Sequence, residues 1–209
     1  MAVGRARFSW KLSFVWLGIL ALVSLKSPLA QQDGAFLDEL NVRLISKGKI
    51  ELLNDFRYRD SKNDIWKAPK GYVSDGASIP QVFWSVVGGP LDGDYRDAAV
   101  IHDYFCDTKQ QTWQATHRVF YDAMRARGVG ETKAKTLYYA VYRFGPRWCQ
   151  GCRIQRPIVP TYHDEEFQKM KREIEQGNVS LEQIDAASDA VVPPNDQSKW
   201  RGARLRRAL

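Results

Sequence analysis

Between residues 40 and 74 apolar and polar positions alternate in short runs, whereas from Asp94 onward the apolar ones recur at spacings of three and four. The first period belongs to β-strands and the second to α-helices. Residues 40–45 (Leu-Asn-Val-Arg-Leu-Ile) and 56–59 (Phe-Arg-Tyr-Arg) alternate, and Asp60-Ser-Lys-Asn-Asp64 supplies turn chemistry before a further run at 65–68. Pro69 and Gly71 interrupt a last strand at 72–74, which fits an edge position. Several antiparallel strands are expected here.

The helical part divides into three. Over 95–106, Ala98, Ile101, His102 and Phe105 fall on one face, so His102 points inward with Asp103 on its flank. Over 112–127, Trp113, His117, Phe120, Tyr121 and Met124 share a face, and Gly128 ends the helix. Over 132–144, Ala134, Leu137, Tyr138 and Val141 form the apolar side before Gly145-Pro146. Short loops make these neighbouring, antiparallel elements. A fourth, highly charged helix is expected at 163–176, where Phe167, Met170 and Ile174 leave only a narrow stripe and place it at the surface. Ser180-Leu-Glu-Gln183 has capping-box spacing and starts a short fifth helix. Beyond Ala187 the Pro193-Pro194 step and a basic arm read as disordered. The fold class is α+β: an antiparallel β portion, a packed three-helix portion, and a peripheral charged helix.

The ends differ from the middle. Arg5, Arg7 and Lys11 precede an apolar run, 12–25, and Ser27-Pro-Leu-Ala30 ends on a small residue, the pattern of a secretory signal peptide. Lys26 closes the run short of the ~20 apolar residues that a spanning helix needs. An exported protein, periplasmic or secreted, is expected after cleavage; uncleaved, the run would be a membrane anchor. No cysteine follows it, which argues against a lipoprotein. The expected organisation is a signal peptide at 1–30, an α+β domain at 31–150, a helical extension at 151–187 and a disordered basic tail at 188–209.

That division changes the meaning of the charge. The formal net charge is +7, from 31 Lys and Arg against 24 Asp and Glu. Four basic residues lie in 1–30 and five in 199–209, with no acid in either stretch, so residues 31–198 carry −2. A specific nucleic-acid partner is therefore not expected. The tail can hold the protein against anionic lipid or a cell-wall polymer, making a cell-envelope component the expected partner.

Three cysteines are an odd number for an oxidising compartment. Cys149-Gln-Gly-Cys152 suits a redox pair, a disulfide or half a metal site, and without a second such motif a four-sulfur zinc site is excluded. The expected arrangement is one disulfide joining Cys106 to Cys149 or Cys152, with the third thiol left over.

The chemistry concentrates in two stretches, Asp75-Gly-Ala-Ser-Ile-Pro80 and Asp97-Ala-Ala-Val-Ile-His-Asp-Tyr-Phe-Cys106. Two histidines on the buried faces of consecutive antiparallel helices can meet, and with Asp75 and Asp103 they offer up to four groups, His102, His117, Asp75 and Asp103, to a divalent metal or a shared proton. The alternative is a buried His102 that donates to Asp103 or to backbone. In the first stretch Asp75 caps the following amides, Gly76 takes a positive φ and Pro80 opens a helical turn. Ser78 lacks a strand-to-helix elbow and belongs to the turn rather than to nucleophilic catalysis. Arg143 and Arg147 offer anion contacts or ordinary ion pairs.

Together these stretches resemble a phage-associated domain of unknown function, DUF1353, whose members run "GF-x-[ST]-DGASIP" and then "AA-x-x-HDY". The resemblance covers about residues 50–148 and implies a fold unit without an assigned activity. Asp97 to Asp103 also resembles the His-Asp helix of calcium-dependent secreted and parvoviral phospholipases. That likeness implies His102 as general base and Asp103 as calcium ligand, with Gly88-Gly-Pro90 as the glycine-rich loop. Both families favour an aspartate where this chain has His117, and Cys106 replaces an aromatic residue. A site rebuilt around two histidines favours a transition metal such as zinc. The reading is an exported, phage-like envelope protein, either a metal-assisted hydrolase of lipid or peptidoglycan, with zinc or calcium, or a non-catalytic envelope or virion-accessory module.

Overall fold

A computed structural model describes residue 1 and residues 34–46, 48–75, 93–149 and 157–191. The described part from Gly34 onward belongs to one compact unit, Gln31–Leu209. The leader at 1–30, the tail beyond 191, and Gly76, Ser78, Pro80, Gly88, Gly89, Pro90 and Cys152 lie outside the described residues.

Six strands form two antiparallel sheets. In the first, β4 (Phe56–Arg59) lies between β1 (Ala35–Phe36) and β5 (Ile65–Ala68); in the second, β3 (Lys49–Leu52) lies between β2 (Val42–Ser46) and β6 (Val73–Ser74). The alternation seen in the sequence sets the faces: Phe56 and Tyr58 of β4, Trp66 and Ala68 of β5, and Ile50 and Leu52 of β3 are buried, while Arg57, Ile65 and Lys67 between them are exposed. Asp60 makes the β4–β5 hairpin, accepting the backbone N–H of Lys62 (2.8 Å) and Asp64 (2.9 Å) on one oxygen and the Trp66 indole N–H (2.9 Å) on the other. Asn63 takes the left-handed conformation there, φ 68°.

Two strands, β1 and β3, were not anticipated. β3 follows Gly48, whose φ of 78° turns the chain back on β2. β2 itself is less buried than its alternation suggests, with Leu44 and Ile45 exposed, because it is an edge strand held only through β3.

Among the described residues five α-helices follow: α1 (Arg96–Thr108), α2 (Trp113–Ala126), α3 (Glu131–Phe144), α4 (Asp164–Glu175) and α5 (Leu181–Val191). Thr112 caps α2 by accepting the N–H of Ala115. Ser180 and Gln183 form a reciprocal capping box, each accepting the other's backbone N–H (2.7 and 3.2 Å). α1 is buried nearly all round, from Ala98 to Asp103 and again at Phe105 and Cys106. It lies between the sheets and α2, with Trp66 of β5 edge-on to Phe105 at 4.7 Å.

The C-terminal helices extend the core. Phe167 and Ile174 of α4 are buried as the narrow stripe requires, and Ile184 and Ser188 of α5 are fully enclosed. α5 runs to Val191, four residues past the point where the sequence suggested disorder. The helix continues because its last turn docks on α3: Tyr138 donates to Asp185 (2.5 Å), Tyr142 to Asp189 (3.4 Å), and the Arg147 guanidinium reaches Asp189 at 3.8 Å. Arg143, 2% exposed, donates to both carboxylate oxygens of Glu166 on α4 (2.6 and 2.9 Å). Neither arginine is a free anion-binding group in this arrangement.

A bidentate pair with one fully buried partner differs energetically from an exposed one. Glu166→Ala, which strands the Arg143 charge in the core, should cost about 3 kcal/mol in urea unfolding. Removing the exposed Arg43–Glu51 pair with Arg43→Ala should cost under about 1 kcal/mol.

Candidate functional site

α1 and α2 pack face to face, and this brings the two histidines together. His102 Nε2 lies 2.8 Å from His117 Nδ1, and both side chains are fully buried. His117 Nε2 lies 3.1 Å from the carbonyl oxygen of Pro146. A carbonyl only accepts, so His117 carries its proton on Nε2 and presents a bare Nδ1 to His102. His102 therefore donates through Nε2, and its Nδ1 is left as an acceptor with no hydrogen-bond partner among the described residues. The ring of His102 stacks on Phe120 (4.8 Å between centroids, 29° between planes), while Trp113 and Trp148 flank His117.

Enclosure decides the protonation state. Burial pushes the His102 pKa down to about 3, and burial together with the neighbouring His102 drives His117 well below the usual imidazole value. Both rings are neutral at physiological pH.

Cys106 stands one turn beyond His102 on α1, and its sulfur lies 3.5 Å from His102 Nε2. Nε2 of His102, Sγ of Cys106 and Nδ1 of His117 lie within 4.8 Å of one another. The expectation that Cys106 joins a disulfide is corrected: its thiol is turned into this cluster, while Cys149 is the disulfide-bonded cysteine. The His-x-x-x-Cys spacing at 102 and 106 was the available signal, since i and i+4 share a helix face.

The two aspartates go elsewhere. Asp103 is buried and accepts from the hydroxyl of Ser74 on β6 at 2.5 Å, which joins α1 to the second sheet. Asp75 is exposed, and its carboxylate lies 3.7 Å from Lys49 Nζ. The expected grouping of Asp75 and Asp103 with the histidines is therefore corrected, because residues 102 and 103 diverge by about 100° around the helix and cannot serve one point. Among the described residues, the clustered metal-ligating donors are His102, Cys106 and His117.

Residues 50–141 match the family model described as "Protein of unknown function (DUF1353)". That stretch is similar to the DUF1353 family. The matched span runs from β3 through most of α3 and so contains the Ser74–Asp103 contact and the His102–Cys106–His117 cluster. The chain is 54% identical over 105 residues to "Uncharacterized protein y4jT" of Sinorhizobium fredii (strain NBRC 101917 / NGR234), covering 50% of this chain and 31% of that protein. It is 52% identical over 94 residues to "Uncharacterized protein y4iH" of the same organism, covering 45% of this chain and 39% of that one. The chain thus spans 31% and 39% of the length of these two relatives. No solved structure matches.

The neutral, buried pair gives this domain a signed dependence on acid. Unfolded histidine titrates near 6.5, whereas folded His102 does so only near pH 3, so the unfolded state binds more protons between these values and stability falls with pH. From pH 6 to pH 5 each of the two residues should remove up to about 1.4 kcal/mol. Chemical unfolding across this range should show the loss, and His102→Gln should show roughly half of the histidine-dependent slope.

Proposed function

We propose that this chain is an exported, non-catalytic module of the cell envelope, in which the His-Asp stretch of α1 is an internal fastener. The observation that carries this reading is the complete burial of His102 and His117, with the Nε2 proton of His102 given to its partner ring. A general base has to reach the proton it abstracts, within about 3 Å or through one water. Asp103, committed to Ser74 inside the core, fits the same role of joining elements. The disulfide at Cys149 supports an oxidising compartment, in keeping with the signal-peptide pattern at 1–30. In this reading the basic tail contacts anionic envelope polymers or lipid, and the domain's relation to phage is that of a virion-accessory or envelope part.

One observation favours a second reading, a hydrolase of lipid or peptidoglycan. His102 Nδ1 is a buried bare nitrogen without a hydrogen-bond partner among the described residues, the atom that a general base would use. Asp103 would then hold calcium as in the phospholipase-like pattern.

The two readings separate when the full chain is offered phospholipid vesicles and purified peptidoglycan, with calcium or zinc, beside a His102→Gln variant. The fastener reading expects no turnover above the no-protein control and a variant destabilised by about 2–4 kcal/mol, several degrees in Tm. Hydrolysis that His102→Gln abolishes while Tm holds would overturn it. Export is tested separately: the N-terminus of protein recovered from outside the cytoplasm should begin at Gln31.

A further inference from the structure

The fastener accounts for the two imidazoles and leaves the thiol unexplained. The hydrogen bond between His102 and His117 is complete without sulfur, yet Cys106 directs Sγ at the same nitrogen from 3.5 Å, buried at 6% exposure. All three donor atoms converge on one small volume inside the protein.

Their supports are those of a ligand set. The Nε2–H of His117 is held by the Pro146 carbonyl, which fixes the tautomer and aims the Nδ1 lone pair at the cluster. Metal-bound imidazoles are oriented in this way by a backbone or carboxylate acceptor on the opposite nitrogen. Stacking on Phe120 fixes the plane of His102. The dimensions are close to what coordination needs. With metal–nitrogen bonds of about 2.0–2.1 Å and metal–sulfur bonds of about 2.3 Å, donors in a trigonal set sit roughly 3.5–3.8 Å apart. Sulfur and Nε2 stand at 3.5 Å, the 2.8 Å gap between the imidazoles has to open by about 0.7 Å, and all three atoms lie within 4.8 Å of one another.

Donor chemistry then selects the ion. Two imidazole nitrogens and a thiolate, with no carboxylate in the cluster among the described residues, are unsuited to calcium or magnesium, which take oxygen. Zinc completes a tetrahedron with a fourth ligand, whereas two histidines and one cysteine, the three donors clustered among the described residues, are the trigonal set that copper accepts. We propose that His102 Nε2, Cys106 Sγ and His117 Nδ1 form a buried three-donor site for copper, taken up as copper(I). On binding, the thiol proton leaves to solvent and the His102 proton moves from Nε2 to Nδ1, the nitrogen without a hydrogen-bond partner among the described residues. The proposal stands apart from the fastener reading, since an ion can replace the hydrogen bond without opening a reaction site.

The experiment titrates the full-length chain, with its Cys149 disulfide intact, with copper(I) against a coloured copper(I) chelator, with zinc in parallel. The wild type should take one copper(I) per chain, hold it more tightly than zinc, and unfold at higher temperature when loaded. Cys106→Ser keeps the side-chain shape and the histidine pair, so it should retain the fold by circular dichroism while losing at least about tenfold in copper affinity and the thermal shift. Cys149→Ser, outside the cluster's donor set, should bind as the wild type does. No capture by the wild type, capture indifferent to Cys106→Ser, capture lost with Cys149→Ser, or a tighter hold on zinc than on copper would each overturn the assignment.

Discussion

Helix α1 carries an imidazole and a carboxylate at consecutive positions in a stretch that water does not reach, and that constraint organises the domain. Consecutive side chains leave a helix about 100° apart, so residues 102 and 103 need partners on different neighbours. His102 finds His117 on α2, and Asp103 finds Ser74 on β6. A buried polar group left unsatisfied costs about 1–3 kcal/mol, so each contact fixes the register of one element against α1. Apolar packing alone tolerates small slips of a helix along its neighbour. Two hydrogen bonds aimed in different directions do not.

The charged C-terminal helices attach by a related device. α3 presents tyrosines 138, 139 and 142 and Arg143 along its outer side, and the acids of α4 and α5 meet them at Glu166, Asp185 and Asp189. Burial raises the pKa of each of these tyrosines, so they remain donors to the carboxylates. Phe167, stacked on Tyr139, and Ile184 supply the apolar part of the same contact. A helix whose stripe is only one residue wide can still dock if polar groups at the stripe's margin are paired.

The sequence disclosed periodic features and concealed those set by tertiary partners. Strands β4 and β5 and the cores of α1, α2 and α3 follow from spacing, because each buried face repeats at its own period. The inward direction of both histidines followed from the same spacing. Their partners followed only in part: Cys106 shares the face of His102 at i+4, but whether Asp75 reaches the cluster depends on how β6 enters the fold relative to α1, which no local pattern encodes. Asp75, one residue past Ser74, alternates to the exposed side, and the hydroxyl, not the carboxylate, faces α1. The extent of α5 was hidden for a similar reason. Its final turn is held by Tyr142 and Arg147, more than forty residues away in sequence.

An imidazole at His117, where a carboxylate could have stood, sets what this core can be. A buried aspartate beside His102 would stabilise an imidazolium and supply the base of a hydrolytic pair. An imidazole there cannot provide a negative charge, and desolvation then favours two neutral rings sharing one hydrogen. Such a pair neither takes up nor releases protons near neutrality, which removes the reason to expose it. What it has is lone-pair chemistry: a nitrogen held bare by the Pro146 carbonyl, beside a thiol. The pairing that disfavours acid–base catalysis therefore presents a set of donors suited to a soft metal ion, and the enclosure around them would also keep such an ion from exchanging with water.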